Sequence, residues 1–206
     1  TNPQIAQTMI QAKQRGVDVR ILFEGVPVGG VPKKARYYAN KMFRAGIPIL
    51  WMRGDRKQRI IRRYRFNHAK YAIVDRTWAV IGTENYGATG HPPTPTFGNR
   101  GWEIHVRSPL LVRDLLAVWK HDTSTASHLD LLHAKDAEGT RWDAPPDTFK
   151  PKERSYPPLY RYRRPPLRVQ GRADLELVLS PDNSLHEKQS LIGSILSCQH
   201  EVLIQQ

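Results

Sequence analysis

The chain has 206 residues, 39% of them hydrophobic, and 32 lysines and arginines against 19 acids give a formal net charge of +13. That length can bury one sizeable core with room for part of a second. A lone cysteine, Cys198, excludes an internal disulfide framework; there is no Cys/His cluster with zinc spacing, and no run approaches the roughly 20 apolar residues that cross a bilayer. The basic excess favours polyanionic partners: nucleic acid, anionic lipid headgroups or phosphate esters.

Residues 1–15 have helical spacing, with Ile5, Met9 and Ile10 on one face and Gly16 at the end. Residues 17–23 alternate as a strand. A loop with Gly25, Gly29 and Gly30 leads to Pro32, well suited to open a second helix, whose face is Ala35, Tyr38, Ala39, Met42 and Phe43. Residues 47–51 form another short strand. Helix, strand, helix and strand in this order predict an α/β layered architecture. Residues 53–65 then hold Arg53, Arg56, Lys57, Arg59, Arg62, Arg63 and Arg65 against one acid, Asp55. This is either a solvated basic loop or an anion-binding one.

Two strand patterns follow, 67–74 and 78–83, then a Gly-, Pro- and Thr-rich loop over 87–98. A strand at 101–107 precedes a helix opened by Ser108-Pro109 and carrying Leu111, Leu115, Val118 and Trp119. Residues 121–171 are rich in Pro, Asp and Arg with little periodicity, an extended linker or covering segment. Residues 173–180 read as a strand, Ser184 and Glu187 as a capping box before a helix with Leu191, Ile192, Ile195 and Leu196, and 202–204 as a closing strand. Cys198 falls in that helical pattern as a small core residue. The expected organisation is therefore a unit over 1–120, a connecting segment over 121–171, and the incomplete start of a second unit over 172–206. The chain opens Thr1-Asn2-Pro3 without methionine and stops within a strand pattern. An excerpt of a longer protein is expected, so localisation and any signal peptide stay unassigned.

The chemistry-bearing segment is Phe66-Asn-His-Ala-Lys-Tyr-Ala-Ile-Val-Asp75, followed by Val80-Ile-Gly-Thr-Glu-Asn85. Alternation on a strand puts His68 and Lys70 on one face. A turn of two or four residues near 75–78 would set Lys70 opposite Thr83 and His68 opposite Asn85, all on one hairpin face; a three- or five-residue turn would break that register. Such a cluster suits phosphoryl chemistry. The ammonium, hydroxyl and amide can hold non-bridging oxygens, and an imidazole can attack phosphorus or protonate a leaving oxygen. No Asp/Glu cluster accompanies it, so a metal-independent route without cofactor is expected.

His68-x-Lys70-x4-Asp75 followed by Gly82-Thr83-x-Asn85 resembles the HKD motif of the phospholipase D superfamily. The lead-in at 15–22 and Gly98-Asn-Arg-Gly-Trp-Glu103 are similar to that family too, and the resemblance covers about residues 1–120. It implies a layered α-β-α domain with a mixed sheet. It further implies that His68 is either the nucleophile forming a phosphohistidine or the acid–base partner. Lys70, Thr83 and Asn85 would bind phosphate, with Arg65 as a further substrate-binding candidate. Glu103 would orient His68, and Asp75 would be more structural than catalytic. Thr83 stands where serine is commoner.

The family uses two facing HKD motifs and this chain has one; Leu132-His-Ala-Lys135 starts like a second, but position 140 is Thr and no Gly-Thr-x-Asn follows. The missing half is expected from residues beyond Gln206 or from a homodimer mate. A phospholipase or phosphatidyl transferase would use the basic run on anionic headgroups or an anionic membrane surface; a nuclease would use it along a nucleic-acid backbone. Proline-rich loops and Tyr156, Tyr160 and Tyr162 tilt the reading toward lipid. A module that binds anionic polymers without turnover is the third reading. Glu24 with the loop 25–30 is either an anion site at a helix start or an ordinary connection. Trp102 and Trp119 read as packing residues, and His105 and His121 have no assigned role.

Overall fold

The computed structural model describes residues 2–92, 98–152, 165–184 and 191–204. The first helix, α1 (Pro3–Gln14), starts where Asn2 caps it. The Asn2 Oδ1 accepts the N–H groups of Gln4 at 2.7 Å and Ile5 at 3.3 Å, and Pro3 supplies a preset first turn. β1 (Ile21–Glu24) leads through the glycine loop to α2 (Lys33–Arg44), whose predicted apolar face buries Ala39 and Met42. β2 (Ile49–Met52) then lies parallel to β1, with Ile21 opposite Ile49 and Glu24 opposite Met52.

The segment after 121 covers this sheet. β6 (Leu131–His133) pairs antiparallel with the other edge of β2, and a 3-10 turn (Ala134–Asp136) follows. Trp142 enters the core with Ile47, Ile49, Trp51, Met42 and Leu132. Its indole N–H donates to the Gly25 carbonyl at 2.7 Å. Gly25 has no alternative there, because a Cβ would sit 2.4 Å from the Met52 carbonyl oxygen and 2.9 Å from the indole nitrogen. His133 of the incomplete second motif is exposed, opposite Leu50 on the sheet edge.

A second sheet is an antiparallel meander of β3 (Tyr71–Val74), β4 (Trp78–Gly82) and β5 (Glu103–Arg107). One face is covered by α3 (Pro109–Asp122), capped by the Ser108 hydroxyl, which sets Leu111, Val112 and Leu115 against Ala79, Tyr71, Ile73 and Val106. Burial pushes the Tyr71 phenol up to about 12. The α/β class thus stands, with the strands divided between a mixed sheet and an antiparallel one.

Three expectations for the far end differ from the structure. Residues 173–180 and 202–204 carry strand patterns but join no sheet among the described residues, and most of them are exposed. A strand exists only by pairing, and alternation cannot supply the neighbour. The helical pattern forms as α4 (Leu191–Ser197), while the capping Glu187 lies outside the described residues, as do Tyr156, Tyr160 and Tyr162. Cys198 is half-buried rather than core, its thiol donating to the Glu201 carbonyl at 3.1 Å.

Trp142→Ala should lower the unfolding free energy by about 3–5 kcal/mol, read from urea denaturation, because it removes a buried ring that joins β6 to β1.

Candidate active site

The β3–β4 turn contains three residues, Asp75, Arg76 and Thr77, between paired Val74 and Trp78. Asp75 and Arg76 both have φ 51°, and Thr77 closes the turn by donating its N–H to the Val74 carbonyl at 3.1 Å. This corrects the register expected for a two- or four-residue turn. Lys70 meets Gly82, whose N–H donates to the Lys70 carbonyl at 3.0 Å, instead of meeting Thr83. Because Gly82 is itself opposite Glu103, the positions of Lys70, Gly82 and Glu103 form a row across three strands. Tyr71 and Ile81 pack toward α3, so alternation puts this row on the open face of the sheet.

Gly82 makes the row possible. A Cβ there would lie 2.8 Å from Glu103 Cγ and 3.1 Å from the Trp102 carbonyl oxygen, so the Glu103 stem crosses the bare backbone. Thr83 falls one position on and pairs with Trp102. Its N–H donates to the Trp102 carbonyl at 3.1 Å, and its hydroxyl oxygen accepts the Trp102 N–H at 3.2 Å. The register therefore does not set Thr83 on the face of Lys70. Its hydroxyl proton is not used in that pair. Trp102, expected as a packing residue, is 57% exposed, since its backbone rather than its ring closes the ladder.

His68 and Lys70 precede β3 rather than lying within it. His68 is exposed, and the Lys70 ammonium donates to its carbonyl at 2.5 Å. Burial holds the Lys70 ammonium below its ordinary range, and the Glu84 carboxylate partly offsets that effect. Glu84 occupies the free position of Gly-Thr-x-Asn. Its carboxylate accepts from the Asn99 amide at 2.8 Å, and its stem fills the space a Cβ on Gly101 would need.

Glu103 holds an imidazole, but that of His91 rather than His68. Its Oε1 lies 2.8 Å from His91 Nε2, and its Oε2 lies 3.9 Å from His105 Nε2. His91 Nδ1 lies 3.1 Å from the Asn85 carbonyl oxygen, its ring leans on Tyr86, and its own carbonyl accepts from the Asn2 amide. The loop after Asn85 folds back over the sheet and delivers His91 to the carboxylate. Asn85 is exposed and lies beyond the ladder, so it does not stand opposite His68. Asp75 sits at the hairpin tip, roughly 16 Å along the strand from Lys70, with the left-handed backbone of the turn. Arg65 is exposed, its guanidinium 5.8 Å from the centre of the Phe66 ring.

Glu24, at the end of β1, ties the motif to the mixed sheet. One carboxylate oxygen accepts the Val26 N–H at 2.6 Å and the other the Asn67 N–H at 2.5 Å. It already satisfies one backbone donor of the glycine loop, that of Val26. Glu24, Glu84 and His91 were not assigned to the motif from sequence. A lone acid or imidazole in a loop has no periodicity to mark it.

The basic run divides, with Arg62 half-buried over the Phe66 ring between an internal and an exposed group. Arg53 and Arg63 are internal: Arg53, 8% exposed, pairs with Asp55 at 3.1 Å, and Arg63 pairs with Asp130 at 3.0 Å. Asp130, 2% exposed, also accepts the Arg63 N–H. Arg56, Lys57, Arg59 and Arg65 are exposed.

The family model described as cardiolipin synthase, PLD-like domain, matches residues 1–106. The chain belongs to that family. Within the matched span, the phospholipase D-like domain contains β1 to β4, the hairpin and nearly all of β5, while β6 and the Trp142 cover follow it. Among solved structures, a phospholipase D family member, Nuc from Salmonella typhimurium, is similar at 23% identity, over 59% of this chain and 70% of its own, with a TM-score of 0.46. No curated protein matches the chain.

Gly82→Ala should displace Glu103 and destabilise the fold by about 1–3 kcal/mol, seen as a lower urea midpoint with loss of the His91–Glu103 contact by histidine NMR. Glu84→Gln should lower the Lys70 pKa further, since it removes the one charge that raises it; ¹³C NMR of the lysine ε-carbon reads the titration.

Proposed function

We propose that this phospholipase D-like domain hydrolyses or transfers phosphodiesters through a phosphohistidine, with phospholipid headgroups the favoured substrate. The observation that carries the reading is the junction of the two motif segments at Lys70 and Gly82, which draws His68, Lys70, Thr83 and Asn85 to one end of a single hairpin. In the forward step an imidazole nitrogen bonds to phosphorus and the P–O bond to the leaving alcohol breaks. The departing oxygen takes a proton from the imidazole of a second half. Water or a second alcohol then attacks, the P–N bond breaks, and the attacking oxygen gives up its proton to that second imidazole. His68 performs one of these two roles and its counterpart the other.

Lys70 is suited to neutralising a non-bridging oxygen, and its partial burial strengthens that interaction. The Thr83 hydroxyl keeps its proton to donate, and Asn85 and Arg65 are exposed toward solvent where a substrate could meet them. The second half is supplied by further residues of a longer chain or by a second copy. The exposed cations after β2 also suit a metal-independent nuclease of the same superfamily, the second reading, and a turnover-free anion-binding module is the third.

The deciding assay gives the full-length protein phosphatidylcholine with a primary alcohol, and separately single- and double-stranded DNA, all with EDTA. His68→Asn should cut turnover by about 10⁴-fold or more, and EDTA should leave the wild type unchanged. Full activity in the variant sinks the catalytic role, and DNA cleavage without phosphatidyl transfer overturns the lipid preference. These 206 residues alone, as a monomer by light scattering, should show negligible activity.

A further inference from the structure

Three loops leave the mixed sheet at one end. β1 and β2 are parallel, so the glycine loop after Glu24 and the basic loop after Met52 emerge together. β6 runs antiparallel, with Leu131 opposite Met52, so the residues preceding it arrive at that same end. Neighbouring strands lie about 4.8 Å apart, and the roots of the three loops therefore sit within roughly 10 Å. The Asn67 N–H on the Glu24 carboxylate brings the segment carrying His68 to this end as well.

Each of the three loops ends in an aliphatic side chain held out in water. Val28 is 89% exposed, Ile61 88% and Leu129 81%, the highest values among large hydrophobics of the described residues up to 152. Around Ile61 stand Arg56, Lys57 and Arg59, exposed on a turn closed by the Asp55–Ile60 bridge. The acids of these loops do not cancel that charge. Asp55 is taken by Arg53 and by the N–H groups of Lys57 and Gln58, and Asp130 is buried against Arg63.

We propose that this end of the mixed sheet docks on an anionic lipid bilayer, with Val28, Ile61 and Leu129 entering the acyl boundary and Arg56, Lys57 and Arg59 meeting lipid phosphates. Cations alone would serve a nucleic acid equally well. The aliphatic tips decide between the two, because they gain nothing from a phosphodiester backbone and cannot stack on bases. The Phe66 ring lies beneath the guanidiniums of Arg62 and Arg65 at 5.4 and 5.8 Å, and the Tyr64 ring is tied through its hydroxyl to Asp122 at 3.1 Å. The surface deepens the lipid reading of the His68 site, yet its occupancy is measured without turnover.

The full chain is sedimented with phosphatidylcholine vesicles, with vesicles also containing phosphatidylglycerol, and in parallel titrated with a DNA duplex. Wild type should bind the anionic vesicles and not the neutral ones. Val28→Ser with Ile61→Ser and Leu129→Ser should weaken vesicle binding by about tenfold or more while leaving any DNA binding unchanged. Ile61→Ser alone, at a site too exposed to unfold the chain, should show part of that loss. Arg56→Ala with Lys57→Ala and Arg59→Ala should flatten the salt dependence. Wild-type vesicle binding by the triple serine variant, or duplex binding without vesicle binding, overturns the proposal. His68→Asn should bind vesicles like wild type, so a failed docking surface and a failed catalytic assignment give different results.

Discussion

Two consecutive residues in the left-handed region, Asp75 and Arg76, close the β3–β4 turn with three residues, and that count decides which side chains share a face. A side-chain period of two makes register unforgiving: one residue of shift moves every position to the opposite face. Lys70 is thereby set against Gly82 and Gly82 against Glu103, while Thr83 passes to the pairing with Trp102. The backbone space over Gly82 follows from the same register, and so does the route by which Glu103 reaches His91.

The hairpin would be an isolated meander without its ties to the mixed sheet, and those ties are made with buried charge. Glu24 holds Asn67, and Asp130 holds Arg63 through its side chain and its backbone N–H. The Tyr64 hydroxyl donates to Asp122 at 3.1 Å, fixing the end of the basic loop to α3. A carboxylate that is 2% exposed is tolerable only with such partners; removing one side of a buried pair costs about 3–5 kcal/mol. Two of the seven cations that give the run its charge are therefore structural. Arg62 is half-buried over Phe66, and Arg56, Lys57, Arg59 and Arg65 are exposed to solvent at the end of the sheet where His68 also lies.

Much of the first unit was legible from residues alone. The helix faces at Ala39 and Met42 and at Leu111 and Leu115, the Ser108 cap, and the glycine ends of α1 and α2 all follow local periodicity or local backbone chemistry. The His-x-Lys and Gly-Thr-x-Asn strings were equally visible, because that chemistry is written in side-chain types at short spacing. Patterns at 173–180 and 202–204 promised strands that found no partner, since alternation records a preference for a pleated surface and not the presence of a neighbour.

By itself, then, the sequence determined the element order up to α3, the identity of the motif and the excess of positive charge, all properties set within a few residues. Only the tertiary structure decided the rest: which imidazole Glu103 holds, which arginines are internal, and that Trp142 and β6 complete the first sheet. The Arg63–Asp130 and Trp142–Gly25 contacts join positions 67 and 117 residues apart, and even His91 and Glu103 are separated by 12. Each depends on a turn length or a buried partner that no local pattern encodes, and so the motif was legible before the face on which it acts.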